Sequence, residues 1–171
     1  MLDTNAINAR QANTALNQIE TWRAPGVVLQ LMAEPAYCEA VAGGSDARIA
    51  KAGRQLRGIS HHGRKEESAW KTIEQAVFPS GARTDAERNN VAIVFQAQAW
   101  GYVLVTMDGN SRRQPRGILG ARQELGELGV TVMRPEEFVT ATRERIADRD
   151  RRLRQNCTMT GTPLPGWVGE D

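Results

Sequence analysis

Three short apolar runs, Val27–Met32, Tyr102–Thr106 and Val130–Met133, stand between longer stretches whose apolar residues recur at three- and four-residue spacing. That alternation constrains the fold more than any other feature of the chain. A run of roughly four to eight residues rich in Val and Leu suits a buried strand, and a longer stretch with a 3.6-residue period suits a helix. Strands alternating with helices predict a mostly parallel sheet covered on both faces. The expected fold class is therefore α/β, a three-layer sandwich around a central, mostly parallel sheet.

Turn and cap residues set the expected helix ends. Helices are predicted over Asn5–Ile19, from Pro35 to Val41, over Ser45–Arg57, over Lys65–Val77, from Thr84 to Trp100, over Ile118–Leu128 and from Pro135 to Arg154. Pro25-Gly26, Gly43-Gly44, Pro79-Ser80-Gly81, Gly101 and Gly129 punctuate them. Thr84-Asp85-Ala86-Glu87 has the spacing of a capping box, in which the hydroxyl and the carboxylate each bond the other residue's backbone N–H. A chain of 171 residues suits one domain, here residues 1–155, followed by an irregular tail over 156–171 rich in proline and glycine. Trp70 and Trp100 fall on apolar helical stripes and belong to the core, whereas Trp22 and Trp167 are less constrained. Trp167 is placed to pin the tail back onto the domain.

Several function classes are excluded. Cys38 and Cys157 are too few for a disulfide framework and lack metal-ligand spacing, so a reducing cytoplasm is the expected compartment. No secretory pattern opens the chain, and no apolar stretch approaches the roughly 20 residues that span a bilayer, so no membrane partner is expected. Gly117-Ile118-Leu119-Gly120 lacks the lysine that ends a phosphate loop, and no nucleophile elbow is present. Net charge is only +2, but the basic residues cluster at Arg48 to Lys65, at Arg112 to Arg116 and at Arg143 to Arg154. Each cluster suits a solvated helix face or contacts to a phosphate backbone. Arg54 and Arg64, with the His61-His62 loop between them, and Arg112 and Arg113 are the candidate substrate-binding residues.

Acids stand just past the predicted strands. Asp3 follows Met1-Leu2, Glu34 follows Val27–Met32, and Asp108 follows Tyr102–Thr106. In open parallel sheets, sites form beyond the carboxyl ends of the strands. Three carboxylates converging there repel one another unless a cation compensates, and hard Mg²⁺ or Mn²⁺ prefers such oxygen ligands. Carboxylate-held metal ions can activate water for phosphodiester hydrolysis. For each acid alone, the competing role is a helix cap or turn former.

Leu2-Asp3-Thr4-Asn5, Glu34 after a strand, and the segment from Asn90 through Ala97 and Gly101 to Thr106-Met107-Asp108 together resemble the PIN-domain family, over Met1 to about Met133. The resemblance implies a metal-dependent endoribonuclease acting on single-stranded or structured RNA, with DNA not excluded. It also implies a homodimer and an antitoxin protein as partners. Carried over by position, Asp3, Glu34 and Asp108 are the metal ligands, with Asn5 and Thr106 supporting them. The family's third acid falls on Asn90, a neutral and weaker ligand. Asn90 then leaves an attenuated site, or Glu87 or Asp85 replaces the missing charge. The rival expectations are a non-catalytic nucleic-acid-binding domain and a small-molecule phosphohydrolase.

Overall fold

Helix accounts for 64% of the described residues, and every strand is two residues long. The computed structural model describes residues 1–3, 12–23, 25–42, 46–53, 56–57, 66–109 and 117–170. In chain order the elements are α1 (Thr14–Arg23), β1 (Leu31–Met32), α2 (Glu34–Ala42), α3 (Asp46–Gly53), β2 (Leu56–Arg57), α4 (Glu66–Val77), α5 (Asp85–Ala99), β3 (Leu104–Val105), α6 (Gly117–Gly120), α7 (Arg122–Glu127), β4 (Val132–Met133) and α8 (Pro135–Thr160).

These facts overturn the three-layer sandwich around a central sheet. The strands form two two-stranded parallel ladders, β1 with β2 and β3 with β4. Leu2 bridges in parallel to Met32 and to Val105, so one residue joins the two ladders. The physical reason is visible in how the apolar runs use their backbone. Val28 donates to Trp22 O at 3.2 Å, and the Gln30 side chain donates to Ile19 O. Residues 27–30 are thus committed to turning off the end of α1, and only Leu31–Met32 remain for the ladder. Tyr102 donates to Ala97 O at 2.9 Å, closing the end of α5, which leaves Leu104–Val105 from the second run.

The core is accordingly built mainly by helices. Ile73 and Val77 of α4, Val91, Ile93, Val94 and Phe95 of α5, and Ile118 and Leu125 gather with Leu104 and Met32 in one buried cluster. A second cluster packs Leu16, Ile19 and Trp22 of α1 against Val139 of α8, Leu2 and Val105. Trp70 lies partly buried against the first cluster, while Trp100 is 46% exposed and stacks on Tyr102. Among the described residues, no helix is long and apolar enough to cross a membrane.

Other boundaries differ from expectation. The stretch expected to be one helix from Ile118 to Leu128 breaks at Ala121 into α6 and α7. The helix expected over Ser45–Arg57 ends at Gly53, and Leu56–Arg57 pairs with β1 instead. The last helix continues past Arg154 to Thr160 and stops at Gly161, whose left-handed φ of 67° suits glycine. Beyond it, Trp167 lies over the Arg149 guanidinium at 4.6 Å and holds the tail against α8.

Candidate functional site

The parallel pairing of Leu2 with both Met32 and Val105 fixes a common polarity. Residues just after Leu2, Met32 and Val105 therefore emerge at one end of the ladder. Asp3, Glu34, Thr106 and Asp108 are those residues.

Asp3 and Thr106 are buried, at 2% and 0% exposure, a depth at which a carboxylate needs strong hydrogen bonds. The Thr106 hydroxyl supplies one, donating to Asp3 Oδ2 at 2.8 Å. The same hydroxyl oxygen accepts from the Asp108 backbone N–H at 2.9 Å. Thr106 thus couples the two acids through a single atom. The next link is Asn90 on α5, whose side-chain Nδ2 donates to Asp108 Oδ2 at 3.3 Å.

The start of α6 completes the surroundings of Asp108. The Ile118 N–H donates to Asp108 Oδ2 at 3.0 Å, and the Leu119 N–H donates to Asp108 O at 2.9 Å. This approach requires glycine at position 117. Its φ is +55°, and a Cβ there would lie 2.8 Å from the Asp108 carbonyl oxygen and from Gly109 Cα.

Glu34 opens α2 and is exposed. Its backbone N–H donates to Gln96 Oε1 at 3.3 Å, and its carboxylate makes no hydrogen bond or ion pair among the described residues. Gln96 was not singled out from the sequence. It is 2% exposed, its Nε2 lacks a hydrogen-bond partner among the described residues, and it ties α5 to the first turn of α2. The available signal was one amide in the otherwise apolar stretch from Val91 to Ala97. Two turns earlier on α5, Asn89 donates to Glu39 Oε1 at 2.6 Å.

The two alternatives to Asn90 are engaged elsewhere. Glu87 accepts from the backbone N–H groups of Arg83 at 2.6 Å and Thr84 at 2.8 Å, within the capping box of α5. Those bonds, Thr84 first, hold its carboxyl below the usual carboxylate range. Asp85 is 94% exposed in its side chain and pairs with Arg88 at 2.7 Å. Asn5, Arg54, Arg64, Arg112 and Arg113, together with His61 and His62, lie outside the described residues.

All the donors gathered here are oxygens and amides, a set suited to a hard cation and not to a soft one. Among the described residues no three carboxylates, imidazoles or thiols cluster as a metal-binding group. Mg²⁺ binds through one or two carboxylates while keeping several waters, and Asp3 and Asp108, tied together through Thr106, are the acids whose chemistry suits it. No family model, no curated protein and no solved structure matches the chain.

Proposed function

We propose that the chain is a metal-dependent nuclease that hydrolyses RNA phosphodiesters, attenuated by asparagine at position 90. The observation that supports it is the hydrogen-bonded series Asp3–Thr106–Asp108–Asn90 at the carboxyl-terminal end of a parallel ladder. The likeness of Leu2-Asp3-Thr4-Asn5 and Thr106-Met107-Asp108 to PIN-domain motifs agrees with this assignment.

Asp3, Asp108 and Glu34 would hold Mg²⁺ or Mn²⁺, which supplies Lewis-acid activation of water and charge neutralisation at the phosphate. The chain's own residues prepare that site. Thr106 orients the Asp3 carboxylate and fixes the turn at Asp108. Ile118 N–H and Asn90 Nδ2 hold Asp108 Oδ2 in place. Exposed Glu34 stands at the rim, where a substrate backbone would approach. No side-chain nucleophile is required.

A non-catalytic nucleic-acid-binding domain is the second reading, and one observation favours it. Asn90 places an amide donor on Asp108, neutralising part of the charge a cation would otherwise compensate. Incubating a mixed RNA pool with the purified chain in Mn²⁺, with a chelator control, separates the two. The nuclease reading expects slow Mn²⁺-dependent cleavage that Asp3→Asn or Asp108→Asn abolishes and Asn90→Asp accelerates at least roughly tenfold, the scale of one recovered charged ligand. RNA binding without cleavage in both the wild type and Asn90→Asp would establish the second reading instead.

A further inference from the structure

Away from the acidic edge, α8 turns one face toward an open cleft. Phe138, Ala141, Thr142, Arg145, Ile146 and Arg149 recur at three- and four-residue spacing along that face, opposite Val27–Leu29, Val103 and Met133. The cleft has a volume of about 380 Å³. It shares Val28, Leu29, Val103 and Phe138 with a smaller cavity of about 170 Å³ that reaches Gln30. Aliphatic and aromatic side chains line much of the cleft, interrupted by Thr142, Arg145 and Arg149, and Leu29 is 63% exposed.

Three polar side chains, Thr142, Arg145 and Arg149, interrupt the lining. Arg149 is engaged by Asp150 at 2.7 Å and by the Trp167 ring. Arg145 differs, because no carboxylate among the described residues lies within ion-pair distance of it. In the adjoining smaller cavity, Gln30 is 3% exposed and its Oε1 has no hydrogen-bond partner among the described residues. The cleft thus offers, among the described residues, a cation without a carboxylate partner beside apolar side chains, with a buried acceptor in the adjoining cavity.

We infer that this cleft binds a small amphiphilic carboxylate, an acyl or aryl chain whose carboxylate pairs with Arg145 while its apolar part fills the space beside α8. Volume favours a small ligand. At about 30 Å³ per water-sized atom, the main cleft takes on the order of a dozen non-hydrogen atoms, near the lower end of ligand sites. Polarity favours a carboxylate over a peptide. A free carboxylate pairs with the Arg145 guanidinium, whereas an uncharged peptide segment would leave that cation without a counter-charge. A guanidinium fork matches a single carboxylate in two parallel bonds. The site is separate from the acid cluster and does not depend on nuclease activity.

Calorimetric titration of the full chain with decanoate, and in parallel with decanol, tests the assignment. Saturable one-to-one decanoate binding is expected below its micellar range. Arg145→Gln, a rim substitution with little bearing on folding, weakens decanoate roughly ten- to a hundredfold and leaves decanol unchanged. Ala141→Trp fills the cleft and removes binding of both, with its melting curve showing that the fold persists. If that variant unfolds, the comparison of decanoate with decanol in Arg145→Gln decides alone. Absence of saturable binding, or equal decanoate affinity in the wild type and Arg145→Gln, overturns the inference. A concentration-dependent dimer that Arg145→Gln or Ala141→Trp dissociates, without decanoate binding, assigns the cleft to a second copy of the chain and overturns it equally.

Discussion

Replacing Asn90 with aspartate exchanges an attraction for a repulsion at a known place. Asn90 Nδ2 donates to Asp108 Oδ2 at 3.3 Å, a long bond with a net worth near the lower end of about 0.5–1.5 kcal/mol. An aspartate in the same rotamer would set two carboxylates about 4 Å apart. At an effective dielectric constant of about 20 that repulsion is about 4 kcal/mol, and partial exposure of both residues reduces it further. Asn90→Asp should therefore destabilise the metal-free protein by about 2–3 kcal/mol, against about 1 kcal/mol for Asn90→Ala, which loses only the hydrogen bond. For a chain of this length that lowers Tm by about 5–10 °C. The loss should shrink at high salt, because the repulsion is partly screened. Mn²⁺ should reverse the order, since a ligand at a hundred times its Kd stabilises by about 2.7 kcal/mol. Thermal melts of the wild type, Asn90→Ala and Asn90→Asp in chelator and in Mn²⁺ measure all of this. The placement of the third acid is refuted if Asn90→Asp is no less stable than Asn90→Ala in chelator, or if Mn²⁺ raises all three melting temperatures equally.

Thr106→Val keeps the side-chain volume but removes a donor to buried Asp3 and the acceptor for Asp108 N–H, so urea denaturation should show a loss of roughly 2–4 kcal/mol. Gly117→Ala forces a Cβ against the Asp108 carbonyl at a positive φ, and should cost roughly 2–3 kcal/mol in the same assay. Thr84→Ala removes the α5 cap at about 1 kcal/mol. Because Glu87 titrates below its ordinary range, its contribution is present above that range and is lost as pH falls through the folded value, so Glu87→Gln should flatten stability against pH on the acid side only.

The fold was legible in its elements and not in its layers. Caps and breakers read from the sequence located α4, α5 and the start of α8 closely, because Thr84, Glu87 and Pro135 act on backbone groups one turn away. Strand extent was misread because it depends on partners that local pattern does not show. Val27–Leu29 look like strand residues, yet Val28 N–H closes onto Trp22 and Leu29 lies at the lip of a cleft, so their apolar character serves tertiary contacts and not a ladder. The break at Ala121 has a similar origin. Ile118 and Leu119 N–H groups are drawn to Asp108, which fixes where α6 must begin and leaves α7 to start afresh.

The shared direction of the residues that follow the strands does not depend on sheet width. Starting Asp3, Glu34 and Asp108 from neighbouring parallel segments needs only adjacency and common direction, which ladders two residues long supply, yet the three carboxylates do not close into a metal-binding group among the described residues. Sheet width adds core, not polarity. The choice among Asn90, Glu87 and Asp85 required more, because all three lie within two turns of α5 and periodicity alone treats Glu87 and Asn90 as neighbours on one face. What separates them is competition for partners. The orphan N–H groups at the start of α5 capture Glu87, Arg88 captures Asp85, and Asn90, past the first turn, has no cap to serve and reaches Asp108. An acid meant for a site is therefore better placed beyond the first helical turn than within it, where backbone donors compete for its charge.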